Sequence, residues 1–154
     1  MDPNTNAWAQ PVEPAGPAAG LSFGGAGERL VAYIVDGFIV GIVNIVLILI
    51  GFALLVTVFW LAVLPIIAVF VVSLGYFPYF WKSHGQTPGM RMFQLYVVRD
   101  RDGGPISTGQ AILRLIGYWV DGLVFYLGFI WILIDSRKRG WHDLIAGTVV
   151  VKRH

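Results

Sequence analysis

The sequence predicts an all-α membrane protein: a transmembrane helical hairpin, a third apolar segment that spans or re-enters, and a short cytoplasmic β pairing. Three observations carry that prediction. Of the 154 residues, 56% are hydrophobic and 13% are charged, about half the roughly 25% of a soluble domain, so too few polar groups remain to cover a water-facing surface. From Leu30 to Trp81 run 52 residues with Asp36 as their one formal charge. Leu95 to Val98 and Thr148 to Val151 are rich in β-branched residues and read as strands.

Residues 1–27 are rich in Pro, Ala and Gly, with Trp8 and Phe23 as their only aromatics. Such a stretch cannot bury enough apolar area to offset chain ordering, and it is read as a disordered cytoplasmic tail. It has neither the basic start nor the apolar run of a secretory leader, so no cleavage is expected. Residues 28–152 form the membrane domain. A single helix over Leu30 to Trp81 would be about 78 Å long against a hydrocarbon core of about 30 Å, so the run must fold back once. The break is expected near Thr57 to Pro65, where Trp60 suits the interface and Pro65 the first turn of a new helix. The helices are then about Arg29 to Val58 and Leu64 to Phe80. Gly37 and Gly41 make a small-xxx-small pattern, read as close packing within the chain, with a dimer face as the alternative. Asn44 is expected to bond across a helix contact.

Lys82, Arg91, Arg99 and Arg101 crowd the 82–110 loop, whereas the hairpin turn has no charge. The excess of Lys and Arg places the tail and this loop on the cytoplasmic side of the cell membrane. Gly85 to Gly89 reads as a tight turn, and Asp102 with Gly103 as a turn after the first strand. The third apolar run, Ala111 to Ile134, is preceded by Ser107 and Gln110 in capping-box spacing. Its 24 residues can span, but Arg137, Lys138, Arg139, Lys152 and Arg153 follow, and a crossing would put them outside. The alternative is a re-entrant pair of half-depth pieces broken at Asp121 and Gly122, which would let the two strands meet.

The chain repeats itself once. Arg29, Leu30, Tyr33, Val35, Asp36 and Gly37 align without gaps on Arg114, Leu115, Tyr118, Val120, Asp121 and Gly122. Arg and Asp seven apart lie within about 20° on one helix face and about 10 Å along its axis. Each Arg can snorkel to the headgroups, but the Asp lies deeper, and an ionised carboxylate there must face protein, water or a cation. Arg29 and Arg114 are therefore the expected partners of Asp36 and Asp121, within one helix or crosswise. Pairs of this kind either hold a fold or handle ions and protons.

With Arg29, Asp36, the Thr87-Pro88-Gly89 turn and the ending Trp141-His142-Asp143-Leu144-Ile145-Ala146-Gly147-Thr148 in place, the sequence resembles the RDD family of small membrane proteins. The resemblance covers about Gly27 to Lys152. It implies Arg29 and Asp36 as the first two residues of the family's name, and Asp143 as the third, with Asp121 the alternative. It also implies Thr87, Gly89, Trp141 and His142 as motif positions. Met90 departs from the family, which usually carries Lys there. Some members are associated with cation and proton exchange, and the family has no single activity.

Catalysis is not expected: no Ser-His-Asp spacing, P-loop or dinucleotide glycine pattern occurs. Zero cysteines exclude thiolate metal sites, and neither a metal nor any cofactor is expected. His142 and Asp143 point about 100° apart on a helix, and Asp143 is read as opening a short interfacial helix with Trp141 at the headgroups. Arg137 to Arg139 are read as leaflet-facing charges. No basic stripe is interleaved with exposed aromatics, so nucleic acid is not a partner. Membrane lipids, a second copy of the chain and a membrane protein are the partners considered. The first functional expectation is an oligomer that exchanges cations or protons through Asp36, Asp121, Arg29 and Arg114. The alternative is a structural or adaptor subunit.

Overall fold

The computed structural model describes residues 21–153. The elements are β1 (Leu21–Phe23), α1 (Ala26–Thr57), a 3-10 turn (Phe59–Ala62), α2 (Val63–His84), α3 (Pro88–Arg91), β2 (Leu95–Arg99), α4 (Thr108–Leu123), α5 (Leu127–Ile134), α6 (Trp141–Ala146) and β3 (Thr148–Arg153). The fold is mostly helical with a small three-stranded sheet.

α1 and α2 are each long and apolar enough to cross a membrane. Phe38, Ile45, Leu49, Phe52 and Phe70 are all exposed, a surface too apolar to face water. They turn where the sequence places the break, with Trp60 in the exposed 3-10 turn and Pro65 in the first turn of α2. Asn44 Nδ2 donates to Ser73 Oγ across the hairpin at 3.0 Å. The Gly37 and Gly41 face is not used for packing within the chain, a correction to the expectation: nothing lies within 4 Å of where their Cβ atoms would be.

α4 and α5 meet at a bend of 105°. The break falls at Val124–Tyr126 rather than at Asp121 and Gly122, because Phe125 and Tyr126 both adopt left-handed backbone conformations. The sheet decides between crossing and re-entry. β2 precedes this bent pair and β3 follows it, yet they are antiparallel neighbours from Leu95↔Lys152 to Arg99↔Thr148. A full crossing would put them on opposite faces, so the pair enters and returns.

β1 adds to the other edge of β3, with Leu21 opposite Arg153 and Phe23 opposite Val151. This corrects the extent of the tail: Leu21–Phe23 is strand and α1 opens at Ala26, while residues 1–20 of the expected tail lie outside the described residues. The inner residues Leu95, Val97, Val150, Trp81, Ala32 and Ile106 form the main core between sheet and helices.

The sequence repeat extends into a structural one. The N-caps Thr87 and Gly140, the left-handed residues Gly85 and Lys138, and the left-handed residues Gln94 and Gly147 all stand 53 positions apart. So do Val97 and Val150, which face each other in the β2–β3 pair. The hydrogen bonds repeat as well: Arg153 N to Gln94 O matches Asp100 N to Gly147 O, and Arg91 N to Thr87 O matches Leu144 N to Gly140 O. Two quasi-equivalent halves, each a helix, a returning helix, a short helix and a strand, thus meet about an axis through Val97 and Val150. The second returning helix is shortened to eight residues.

Because the chain has no native cysteine, single-cysteine variants report sidedness cleanly. Arg101→Cys and Arg153→Cys should label from the same side of sealed vesicles and Trp60→Cys from the other. Labelling of position 153 from the Trp60 side would mean that α4–α5 crosses.

Candidate functional site

The site lies where both halves begin, at the sheet end of the helices. Arg29 is in the first turn of α1, held there by Gly25 at the N-cap, whose amide is bonded by Glu28. Arg114 is in the second turn of α4, after the Ser107–Gln110 capping box, which forms as the sequence predicts. Both guanidinium groups reach the same carboxylate. Arg29 Nη1 donates to Asp143 Oδ2 at 2.8 Å, and Arg114 Nη1 donates to Asp143 Oδ1. The Gly140 amide donates to Oδ2, as expected for an acid in the first turn of α6, and the Thr148 hydroxyl donates to Oδ1. Arg29 also bonds the Val150 carbonyl of β3. Asp143 is 0% exposed and Arg114 1%.

The expected pairing of the repeated Arg and Asp does not occur. Helical side chains lean toward the N-terminus, so each Arg reaches back to the sheet and away from the Asp seven residues on. Asp36 is instead closed by neutral donors: Tyr76 Oη at 2.9 Å, the Gly89 amide at 2.8 Å and Thr87 Oγ1. Gly89 is required for that contact, since a Cβ there would stand 2.2 Å from the Ala32 carbonyl oxygen. Asp121 takes His142 Nδ1 at 2.6 Å and leaves Oδ1 without a partner. Asp36 and Asp121 are 1% and 0% exposed. The two copies touch through Tyr33 and Tyr118, stacked at 5.6 Å.

His142 was not joined to Asp121 by the sequence, which offers no spacing signal across 21 residues. Its Nε2 stands 3.5 Å from Asp143, and its ring lies against Tyr118 and Phe129. Trp141 opens α6 and is half-buried. Arg137 and Arg139 correct a second expectation: they do not simply face the leaflet, but bind Asp100 and Asp135. Among the described residues no group of three or more metal-ligating side chains comes together.

Burial pushes the Asp143 carboxyl up, but Arg114, His142 and Arg29 beside it more than reverse this and hold it well below the usual carboxylate range. Burial pushes the His142 imidazole down; the carboxylates of Asp143 and Asp121 oppose the shift and Arg114 adds to it.

A transmembrane hairpin, a re-entrant pair and a buried Arg-Asp-Arg bridge define a small multi-pass membrane protein rather than a soluble domain. The RDD family model matches residues 23–147, and the chain belongs to that family. It is similar to the uncharacterized protein YxaI of Bacillus subtilis (32% identical, covering 80% of this chain and 93% of that protein). It is also similar to the uncharacterized membrane protein YteJ of the same organism (32% identical, 53% of this chain and 49% of that protein). The proline-rich antigen of Mycobacterium leprae is 30% identical over 59% of this chain, which spans about a third of its length (35%). No solved structure matches.

Asp143→Asn leaves two buried guanidinium groups short of their counter-charge and should cost about 3–5 kcal/mol of stability, read as a lowered midpoint of unfolding in detergent. The pH dependence has a definite sign. Both groups have folded-state pKa values below their unfolded ones, so the unfolded chain binds more protons. Stability falls first as pH drops below about 6.5, through His142, and again below about 4, through Asp143. His142→Gln should remove the first step and keep the second.

Proposed function

We propose that this RDD-family chain is a structural or adaptor subunit of the cell membrane, with its buried charges committed to its own fold. The supporting observation is the saturation of the charge network. Asp143 accepts both Arg29 and Arg114, and Asp36 has three donors, so neither carboxylate is free to take a cation. The same bridge ties α1, α4 and α6 to the sheet. The parts left to meet other molecules are the exposed apolar faces of the hairpin, suited to lipid or a membrane protein partner, and the sheet. The excess of Lys and Arg in the 82–110 loop supports a cytoplasmic position for that loop and for the sheet built on it.

One observation favours a second reading, proton or cation exchange by an oligomer: Asp121 Oδ1 is buried and has no donor. Proteoliposome flux separates the two. The purified chain should carry no cation or proton flux above protein-free vesicles, and Asp36→Asn should lower folded yield. Flux abolished by Asp121→Asn, in a variant that still folds, would establish the exchange reading instead.

A further inference from the structure

A small cavity at the heart of the charge network is bordered by two guanidinium groups and an indole, with no carboxylate among its lining residues. It has a volume of about 20 Å³ and is bordered by Arg29, Trp81, Arg114, Tyr118 and His142, with Met90 and Val150 among its apolar walls. That is room for one small occupant. Three N–H groups on these residues have no protein partner: Nε of Arg29, Nε of Arg114 and Nε1 of Trp81. The residues that carry them are 7%, 1% and 2% exposed. A buried donor left unmade costs about 1–3 kcal/mol, and more on a charged group, so three on residues that line one void point to a ligand.

The chemistry of that ligand follows from the walls. Guanidinium and indole nitrogens only donate. Asp143 neutralises one of the two arginines, and its oxygens face their Nη1 atoms, while the charge of Asp121 sits behind His142 on Nδ1. Neither carboxylate borders the cavity. A water accepts at most two of the three N–H groups and so leaves one unmade, even with its own hydrogens turned to the Tyr118 hydroxyl or the His142 ring. A monatomic anion accepts all three and balances the second guanidinium. Arg29 and Arg114 are equivalent members of the repeat, and a spherical ligand meets both alike. The Arg114 guanidinium lies over the Trp81 ring, 4.9 Å from its centroid, which fixes the indole beside it. We propose that this cavity binds one monovalent anion of halide size, held by Nε of Arg29, Nε of Arg114 and Nε1 of Trp81.

The test uses the full chain in nanodiscs, prepared free of halide. Thermal unfolding is followed while sodium bromide replaces sodium gluconate at constant ionic strength. Bromide should raise the midpoint saturably. Trp81→Phe keeps an aromatic ring and removes one donor; Arg114→Lys keeps the charge and removes Nε. Each should raise the half-saturating bromide concentration about tenfold or more, as loss of a hydrogen bond to a charged group requires. Equal midpoints in the two salts, as with water as the occupant, would overturn the proposal. So would a bromide effect with the same half-saturation in Trp81→Phe as in the unaltered chain, which marks a general salt effect. Should Arg114→Lys fail to fold, Trp81→Phe decides alone.

Discussion

One carboxylate between two guanidinium groups governs this molecule. Removing three ions from water is expensive, and their attraction repays the cost only with good geometry and every remaining lone pair used. Asp143 meets that condition: Arg29, Arg114, the Gly140 amide and Thr148 occupy its two oxygens. The consequence is architectural. The starts of α1 and α4 must both lie against the start of α6, and α6 leads directly into β3, which pairs with β2. A bridge with these three ends leaves α4–α5 no route across the bilayer and back to the sheet other than to turn within it.

The same plan is carried out twice, and the differences between copies are informative. In the first half the returning helix is full length and supplies Tyr76, while the short helix supplies Thr87 and the Gly89 amide, so Asp36 is closed on every side. In the second half the returning helix is short, Gly140 stands where Thr87 stands, and His142 stands where Gly89 stands. The imidazole replaces three donors with one, which is why Asp121 keeps an unpartnered oxygen. Both arginines retain their role, and both carry an Nε that the bridge does not use.

The membrane class, the hairpin, its break, the capping box at Ser107 and the β2–β3 pairing were legible because hydropathy runs, turn residues and caps are local signals. The helix half of the repeat was legible because six residues are identical. Its second half was not: over Gly85 to Val98 and Lys138 to Val151, the aligned residues agree only at the two valines of the strand, so the likeness lies in backbone conformation alone. The partners of the charges were also hidden. Helical periodicity ranks neighbours on one helix, whereas Arg29 and Asp143 are 114 residues apart, and nothing in spacing joins them. Leu21–Phe23 reads as tail by composition because three residues gain strand structure only from an edge already built by β3.

The most direct test is a double-mutant cycle on Arg114 and Asp143, measured as unfolding free energy of the full chain in detergent at pH 7. Arg114→Met, Asp143→Leu and the double variant complete it. A shared buried bridge gives single losses that do not add, with a coupling of about 2–3 kcal/mol. Losses that add to within about 0.5 kcal/mol would show that the two groups do not hold each other, and that something else ties the helices to the sheet.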